Sequence, residues 1–234
     1  MTMDTVLELK LKAGEERRIE GGHGWIFANE LEDVDTSAEP GSLCRVLDAD
    51  GRVLCWGYFN PKSLIAVRVL SRGAQAPEDD FVRRRLEKAL QYRQSLGLDR
   101  FCRLCHGEAD GLPGLVVDLY GDCISVEILT AGMERLKSDV DEALQQMFSP
   151  KGIVYRNDSD FRVLEGLTNL NSVSGSVPEQ LEIEENGVKY LASPLAGQKT
   201  GFYYDQRENR AFLMPYFNGR KVLDLHCFTG GFAL

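Results

Sequence analysis

The stretch from Gln198 to Leu234 constrains the fold more than any other part of the chain. Residues 198–210 read Gln-Lys-Thr-Gly-Phe-Tyr-Tyr-Asp-Gln-Arg-Glu-Asn-Arg, and after a short helical run residues 221–234 read Lys-Val-Leu-Asp-Leu-His-Cys-Phe-Thr-Gly-Gly-Phe-Ala-Leu. Val222–Leu225 has the apolar character of a buried parallel strand, and Thr229-Gly230-Gly231 lets backbone approach a ligand without interference from a Cβ. The glycine spacing does not fit the dinucleotide G-x-G-x-x-G pattern. A P-loop is excluded as well, because Gly-Lys-Ser/Thr is missing and Gln198 stands before Lys199-Thr200 where that motif needs glycine. A strand followed by an acid and a glycine turn suits a sulfonium nucleotide, which has no pyrophosphate to cradle. Its bland counterpart is an ordinary strand-to-helix turn.

The run at 198–210 adds weight to the ligand reading. Lys199, Asp205, Gln206, Arg207 and Arg210 fall close to Phe202, Tyr203 and Tyr204. On a helix starting near Asp205, Arg207 and Arg210 lie three apart and share a face. Asp205 stands where an acid complements the helix dipole. Aromatic rings can stack on adenine, and a cation can hold a carboxylate. The competing interpretation is a solvated helix start.

Upstream, two units precede this region. Residues 6–11 alternate as a half-buried strand does, residues 43–47 and 52–59 flank a turn at Asp50-Gly51, and residues 64–70 form another apolar strand. These features predict a compact β unit over residues 1–72. After Gly73–Pro77 the pattern changes to a helix over 78–96, strands at 115–119 and 123–129, a helix over 133–148 and a strand at 152–156, within a second unit spanning 73–180. Residues 166–178 read as loop. Strands at 181–185 and 188–192 bracket Asn186-Gly187, a hairpin signal, and are followed by a helix over 206–216 and a strand at 221–225. The fold class expected is α/β, α+β overall, with residues 181–234 as its third unit.

With 43% hydrophobic and 27% charged residues, the composition is that of a soluble globular protein. The net charge of −9 argues against a uniformly basic nucleic-acid binder but permits a local basic patch. No apolar run is long enough for a membrane span and residues 1–18 lack an export signal's apolar segment, so a cytoplasmic protein is expected. The six cysteines lack the density of a disulfide scaffold. Cys102-Arg-Leu-Cys105-His106 satisfies the haem-attachment pattern and half of a zinc pattern, but no second C-x-x-C or matched histidine pair accompanies it. Burial of these thiols as small hydrophobes is the expectation, with no metal site, and a metal or redox protein is the rival reading. Glu108 and Asp110 read as parts of a structured turn, Arg83–Arg85 as a solvated helix face, and Trp25, Phe27, Trp56 and Tyr58 as barrel core.

Residues 198–207 together with 222–232 resemble the S-adenosylmethionine entry motifs of bacterial large-subunit ribosomal RNA 5-methylcytosine methyltransferases of the RlmI type. Gly22-His-Gly-Trp-Ile-Phe27 and the run from Gly57 to Arg68 are similar to that family's PUA domain, an RNA-binding β-barrel. Gly107–Asp118 is similar to the turn in its central domain. The resemblance implies a PUA-like β-barrel over 1–72, a central mixed α/β domain over 73–180, and over 181–234 the hairpin and first strand of a Rossmann-like methyltransferase domain. It implies S-adenosylmethionine as cofactor and 23S-type ribosomal RNA as partner, and a homodimer is a further expectation. Lys199, Phe202, Asp205, Gln206, Arg207, Asp224, Phe228, Thr229 and Gly230 are the cofactor-binding candidates. In the family a cysteine thiolate adds to carbon-6 of cytosine so that carbon-5 can take the methyl group. That cysteine, a ribose-binding acid and an Asp-Pro-Pro motif follow the glycine loop, so the nucleophile is expected beyond Leu234, and residues 1–234 are expected to be catalytically incomplete. The alternative is an RNA-binding module without methyl transfer. A lone strand at 221–225 cannot satisfy its ladder hydrogen bonds, so that segment is expected to be disordered, swapped or cut off from its partners.

Overall fold

The computed structural model describes residues 6–233; the start of the first unit at Met1–Thr5 and the chain end at Leu234 lie outside the described residues. The first sheet contains β1 (Leu7–Lys10), β2 (Trp25–Ile26), β3 (Ser42–Leu47), β4 (Val53–Phe59) and β5 (Val67–Arg72), in the order β1-β3-β4-β5-β2. β1 runs parallel to β3, and the other pairs are antiparallel. The β3–β4 turn forms where Asp48 accepts the backbone amides of Asp50 (3.0 Å) and Arg52 (2.8 Å), so the side chain replaces a missing ladder partner. Leu9, Ile26, Cys44, Val46, Cys55, Phe59 and Val67 fill the interior. The final strand starts three residues later than the apolar run at 64–70 predicts, and Leu64 is 84% exposed. Helix α1 (Glu16–Glu20) and β2 are too short to show a hydrophobic period, so sequence reasoning missed both.

Residues 81–175 build a five-stranded sheet against two helices. Its elements are α2 (Phe81–Ser95), β6 (Phe101–His106), β7 (Leu115–Tyr120), β8 (Cys123–Ile128), α3 (Ala131–Arg135), α4 (Lys137–Phe148), β9 (Gly152–Tyr155), α5 (Asp160–Leu164) and β10 (Ser172–Gly175), with strand order β10-β9-β8-β7-β6. β8 and β9 are parallel and are joined through α3 and α4. One face, carrying Leu104, Leu115, Val117, Leu119, Ile124 and Val126, packs on Leu86, Val140 and Leu144 of α2 and α4. The helix expected over 133–148 is two helices that meet at Leu136. Residues 172–175, expected as loop, form an exposed edge strand; short, polar and wet on both faces, it carries no period-2 signal. Cys102 and Cys105 lie on β6 and are buried, and their histidine neighbour is exposed.

The third region consists of a hairpin, β11 (Leu181–Glu185) and β12 (Val188–Ala192), and α6 (Arg207–Phe217). Asn186 and Gly187 take φ of 52° and 80°, the left-handed pair that a two-residue turn requires and that Asn-Gly tolerates. The strand expected at Lys221–Leu225 is absent: these residues are irregular, with Leu223 81% and Leu225 71% exposed. A parallel strand needs a neighbour for its ladder and two covering layers, and among the described residues this segment has neither. No helix among the described residues is long and apolar enough to cross a membrane.

The barrel and the central sheet interlock. Tyr58 of β4 donates its hydroxyl to Pro113 O, and its oxygen lies 2.9 Å from the Thr130 hydroxyl. Its ring lies so close to Gly132 that any Cβ there would overlap it. Asn60 donates to the Glu165 carboxylate (2.8 Å) and carbonyl (3.0 Å), while Trp25 and Arg68 both donate to Glu108 (2.7 and 2.8 Å). Trp25 thus links the barrel to the turn after β6 and is not simply barrel core.

Candidate functional site

The second face of the central sheet carries the residues that fix the 198–210 run. Alternation along β7 sends Val116, Asp118 and Tyr120 to this face, away from α2 and α4. Asp118 is fully buried and accepts two 2.9 Å bonds from Arg103 of β6. Thr200 is also fully buried and donates its hydroxyl to the same carboxylate. Burial works against the charge of Arg103, but the hydrogen bonds and charge of Asp118 overcome this and hold the guanidinium above its ordinary pKa. Tyr120 donates to Thr200 O (3.1 Å), Tyr204 donates to Leu119 O (2.9 Å), and Arg207 donates to Phe101 O. Tyr120, Ile183, Tyr190, Ala192, Phe202 and Tyr204 close into one apolar cluster between sheet and hairpin.

These anchors divide the run into two faces. Thr200, Phe202, Tyr204 and Arg210 point inward; Lys199 and Asp205 are exposed, and Tyr203 and Gln206 are half-buried. Phe202 is 2% exposed, so the ring turned outward is that of Tyr203. Lys199 adopts φ of 52° and lays its ammonium 4.6 Å from the centre of the Tyr203 ring. Arg207 is half-buried, committed to Phe101 O and 3.7 Å from Glu185. The sequence-derived candidates therefore separate into an outward set and a supporting pair, Phe202 and Arg207.

The glycine loop folds back onto this run. Phe228 meets Tyr203 edge to face, centroids 5.2 Å apart, and the Phe232 ring lies 5.9 Å from the Arg210 guanidinium. The loop is turned by Gly230 N donating to Cys227 O and Ala233 N donating to Gly230 O, both at 2.8 Å. Thr229 is exposed and Gly230 half-buried. Asp224 is half-buried, and its Oδ2 is withdrawn from solvent without a hydrogen-bond partner among the described residues. Lys199, Asp205, Gln206, Phe228, Thr229 and Gly230, distant in sequence, thus belong to two segments in direct contact.

Three contributors escaped the sequence reading. Asp118 is a lone acid in an apolar strand, a signal that it needs a buried cation. Glu185 falls in phase with Leu181 and Ile183 on the inward face of β11, where it is 1% exposed and receives Arg210 at 2.6 and 2.8 Å. Thr200 carried no such signal. Among the described residues, no group of three or more histidine, cysteine or acidic side chains is arranged to hold a metal.

Residues 9–72 match the model of the PUA-like domain family. The chain is 37% identical over 236 residues to ribosomal RNA large subunit methyltransferase I of Shewanella denitrificans, an alignment that covers 97% of this chain and 59% of that protein. It is 38% identical over 231 residues to the protein of the same name from Aeromonas salmonicida, covering 96% and 58%. In structure it matches a Streptococcus mutans protein described as a SAM-dependent methyltransferase, with a TM-score of 0.80 and 18% identity over 97% of this chain and 59% of that one. A methyltransferase crystal structure complexed with SAH matches with a TM-score of 0.79, 17% identity and the same coverage, a likeness of fold. Over nearly its whole length the chain is a homologue of the proteins named ribosomal RNA large subunit methyltransferase I, and it spans about 59% of the length of those relatives.

Proposed function

We propose that this chain supplies the RNA-binding barrel, the central domain and the cofactor entrance of a methyltransferase that modifies carbon-5 of a cytosine in large-subunit ribosomal RNA, in the cytoplasm. The observation that carries the reading is the contact between the glycine loop and the 198–206 run through Phe228 and Tyr203. Homology to proteins named for ribosomal RNA methylation and the PUA-like match support it. The donor set suits S-adenosylmethionine: outward Lys199 provides a cation for a carboxylate, Tyr203 and Phe228 provide faces for adenine, and Asp205 and Gln206 accept from hydroxyls. The unpartnered Oδ2 of Asp224 and the backbone of Thr229 and Gly230 complete the set, with Phe202 and Arg207 holding it from below. When bound, the group supplies an electrophilic methyl on sulfur.

No nucleophile is assigned within these residues. Burial raises the thiol pKa of Cys44, Cys55, Cys102, Cys105 and Cys123, and exposed Cys227 belongs to the glycine loop itself. The 234-residue chain by itself is therefore expected to retain ribosomal RNA, bind SAH weakly and transfer no methyl. NMR titration with SAH should move the amides of Lys199, Tyr203, Asp205 and residues 228–230. Unmoved amides at saturating ligand would remove the cofactor reading. Labelled methyl appearing in unmodified ribosomal RNA would overturn the expectation that these residues transfer no methyl. The irregular state of 221–225 favours one second reading, an RNA-binding module without transfer, which predicts RNA retention with no SAH response.

A further inference from the structure

We infer that Glu185 and Arg210 are positioning residues that hold the glycine loop against the 198–206 run, and so set the geometry of the candidate cofactor site. The inference rests on the functional reading above only for the word cofactor; the docking of the loop is a property of this chain. Glu185 is 1% and Arg210 7% exposed, and two parallel bonds of 2.6 and 2.8 Å join them. Replacing such a buried pair by apolar residues is often neutral or stabilising, so the pair is poorly explained as a source of stability.

Its placement points to another role. The same guanidinium donates to Tyr203 O (2.9 Å), which fixes the backbone of the outward aromatic residue. Its central carbon lies 4.8 Å from the centre of the Phe202 ring, 5.7 Å from that of Tyr190 and 5.9 Å from that of Phe232. Gly231 is buried against it: a Cβ built there would lie 3.5 Å from Arg210 Cδ and Nη1, ordinary contact distance, whereas a branched side chain would push the loop off. One planar cation thus touches the hairpin, the run and the loop together. Arginine suits this because it can bond in its plane and stack on its faces at once, which lysine cannot. Glu185 also lies 3.7 Å from Arg207, so its carboxylate faces both helix-start arginines, and without it two sheltered cations would lose their counter-charge.

Hydrogen exchange by mass spectrometry separates positioning from folding. Wild type, Glu185→Gln, Arg210→Met and Phe232→Ala are compared over residues 226–233 and over the hairpin 181–192, with an SAH titration on each. Phe232→Ala leaves the ion pair intact and guards against misfolding of the other two. All three variants should speed exchange over 226–233 about tenfold and weaken SAH binding by a similar factor, while Phe232→Ala leaves the hairpin and the melting temperature unchanged. The double variant Glu185→Arg/Arg210→Glu should recover part of the loop protection lost in Glu185→Gln. Exchange over 226–233 within about twofold of wild type in both Phe232→Ala and Arg210→Met would overturn the inference. So would faster loop exchange with unchanged SAH affinity. Absence of any SAH response in wild type would remove the functional reading and leave the loop docking to be judged by exchange alone.

Discussion

Asp118→Asn tests the proposal that one buried carboxylate fastens the 198–201 segment to the central sheet. The wild-type carboxylate accepts Arg103 through two 2.9 Å bonds and the Thr200 hydroxyl through a third. An amide of the same shape offers one acceptor and turns an NH₂ toward donors, so at least one partner loses its bond and Arg103 loses its counter-charge. Breaking a fully buried ion pair from one side costs about 3–5 kcal/mol. The Arg103 side chain keeps 24% of its exposure, which water can use to recover part of that cost, so the lower end, about 3 kcal/mol, is expected. For a chain of this size that corresponds to a fall in melting temperature of about 6–12 °C, read by circular dichroism. A local effect should accompany it: trypsin cleavage after exposed Lys199, whose successor Thr200 is buried in the wild type, should accelerate under native conditions. Adding Arg103→Met to Asp118→Leu should restore most of the lost stability, because both charges leave together. A melting temperature within about 1 °C of wild type, or unchanged cleavage at Lys199, would refute the reasoning.

The remaining predictions concern packing, thiols and pH. Gly132→Ala drives a methyl group into the Tyr58 ring and should cost about 3 kcal/mol or more by overpacking, visible as a lower urea midpoint; a midpoint equal to wild type would mean that the barrel and central sheet are not locked there. Ellman's reagent should titrate one fast thiol, Cys227, in the native protein and all six after denaturation, since burial pushes Cys55 up to about 12 and Cys102 up to about 11; rapid reaction of a second thiol would contradict this. Burial raises the Glu127 pKa, so the native state binds more protons than the unfolded state between the unfolded and folded pKa values. Its effect on stability is therefore absent below the unfolded value and becomes a penalty as pH rises through the folded one. Glu127→Gln should accordingly raise the melting temperature at pH 8 and leave it unchanged at pH 3, and the opposite trend would reverse the assignment.

Elements with a strong period or turn signal were legible from sequence. Asn186-Gly187 and Asp48–Gly51 mark their turns because only a few residue types supply the required backbone or local acceptors. The α2 helix and strands β7 and β8 announce themselves by apolar stripes or runs. β2, β6 and β10 did not, since two residues, a bulged Cys-Arg-Leu-Cys run and four exposed residues each lack a clean alternation. At Lys221–Leu225 local preference for a strand is plain in the residues, but a parallel strand is a property of its neighbours. In the 198–210 run the residue types are legible from sequence but their sides are not. Phe202 and Tyr203 are equally aromatic on the page, and only the sheet beneath decides which ring turns inward.

The Tyr58–Gly132 contact has a mechanical consequence. An aromatic ring of the barrel occupies the space where the central sheet's helix would otherwise carry a side chain, and Asn60 and Arg68 flank it with bonds to Glu165 and Glu108, so rotation of the barrel against the central sheet would have to break all of these contacts. The barrel and the central sheet are pinned together at this seam, and the 198–210 run is fastened to the central sheet through Asp118. On the function proposed above, an RNA strand held by the barrel would reach Tyr203 and Phe228 at an offset set by this seam. Choice of the target base would then rest on that built-in distance, without any side chain having to read its neighbours.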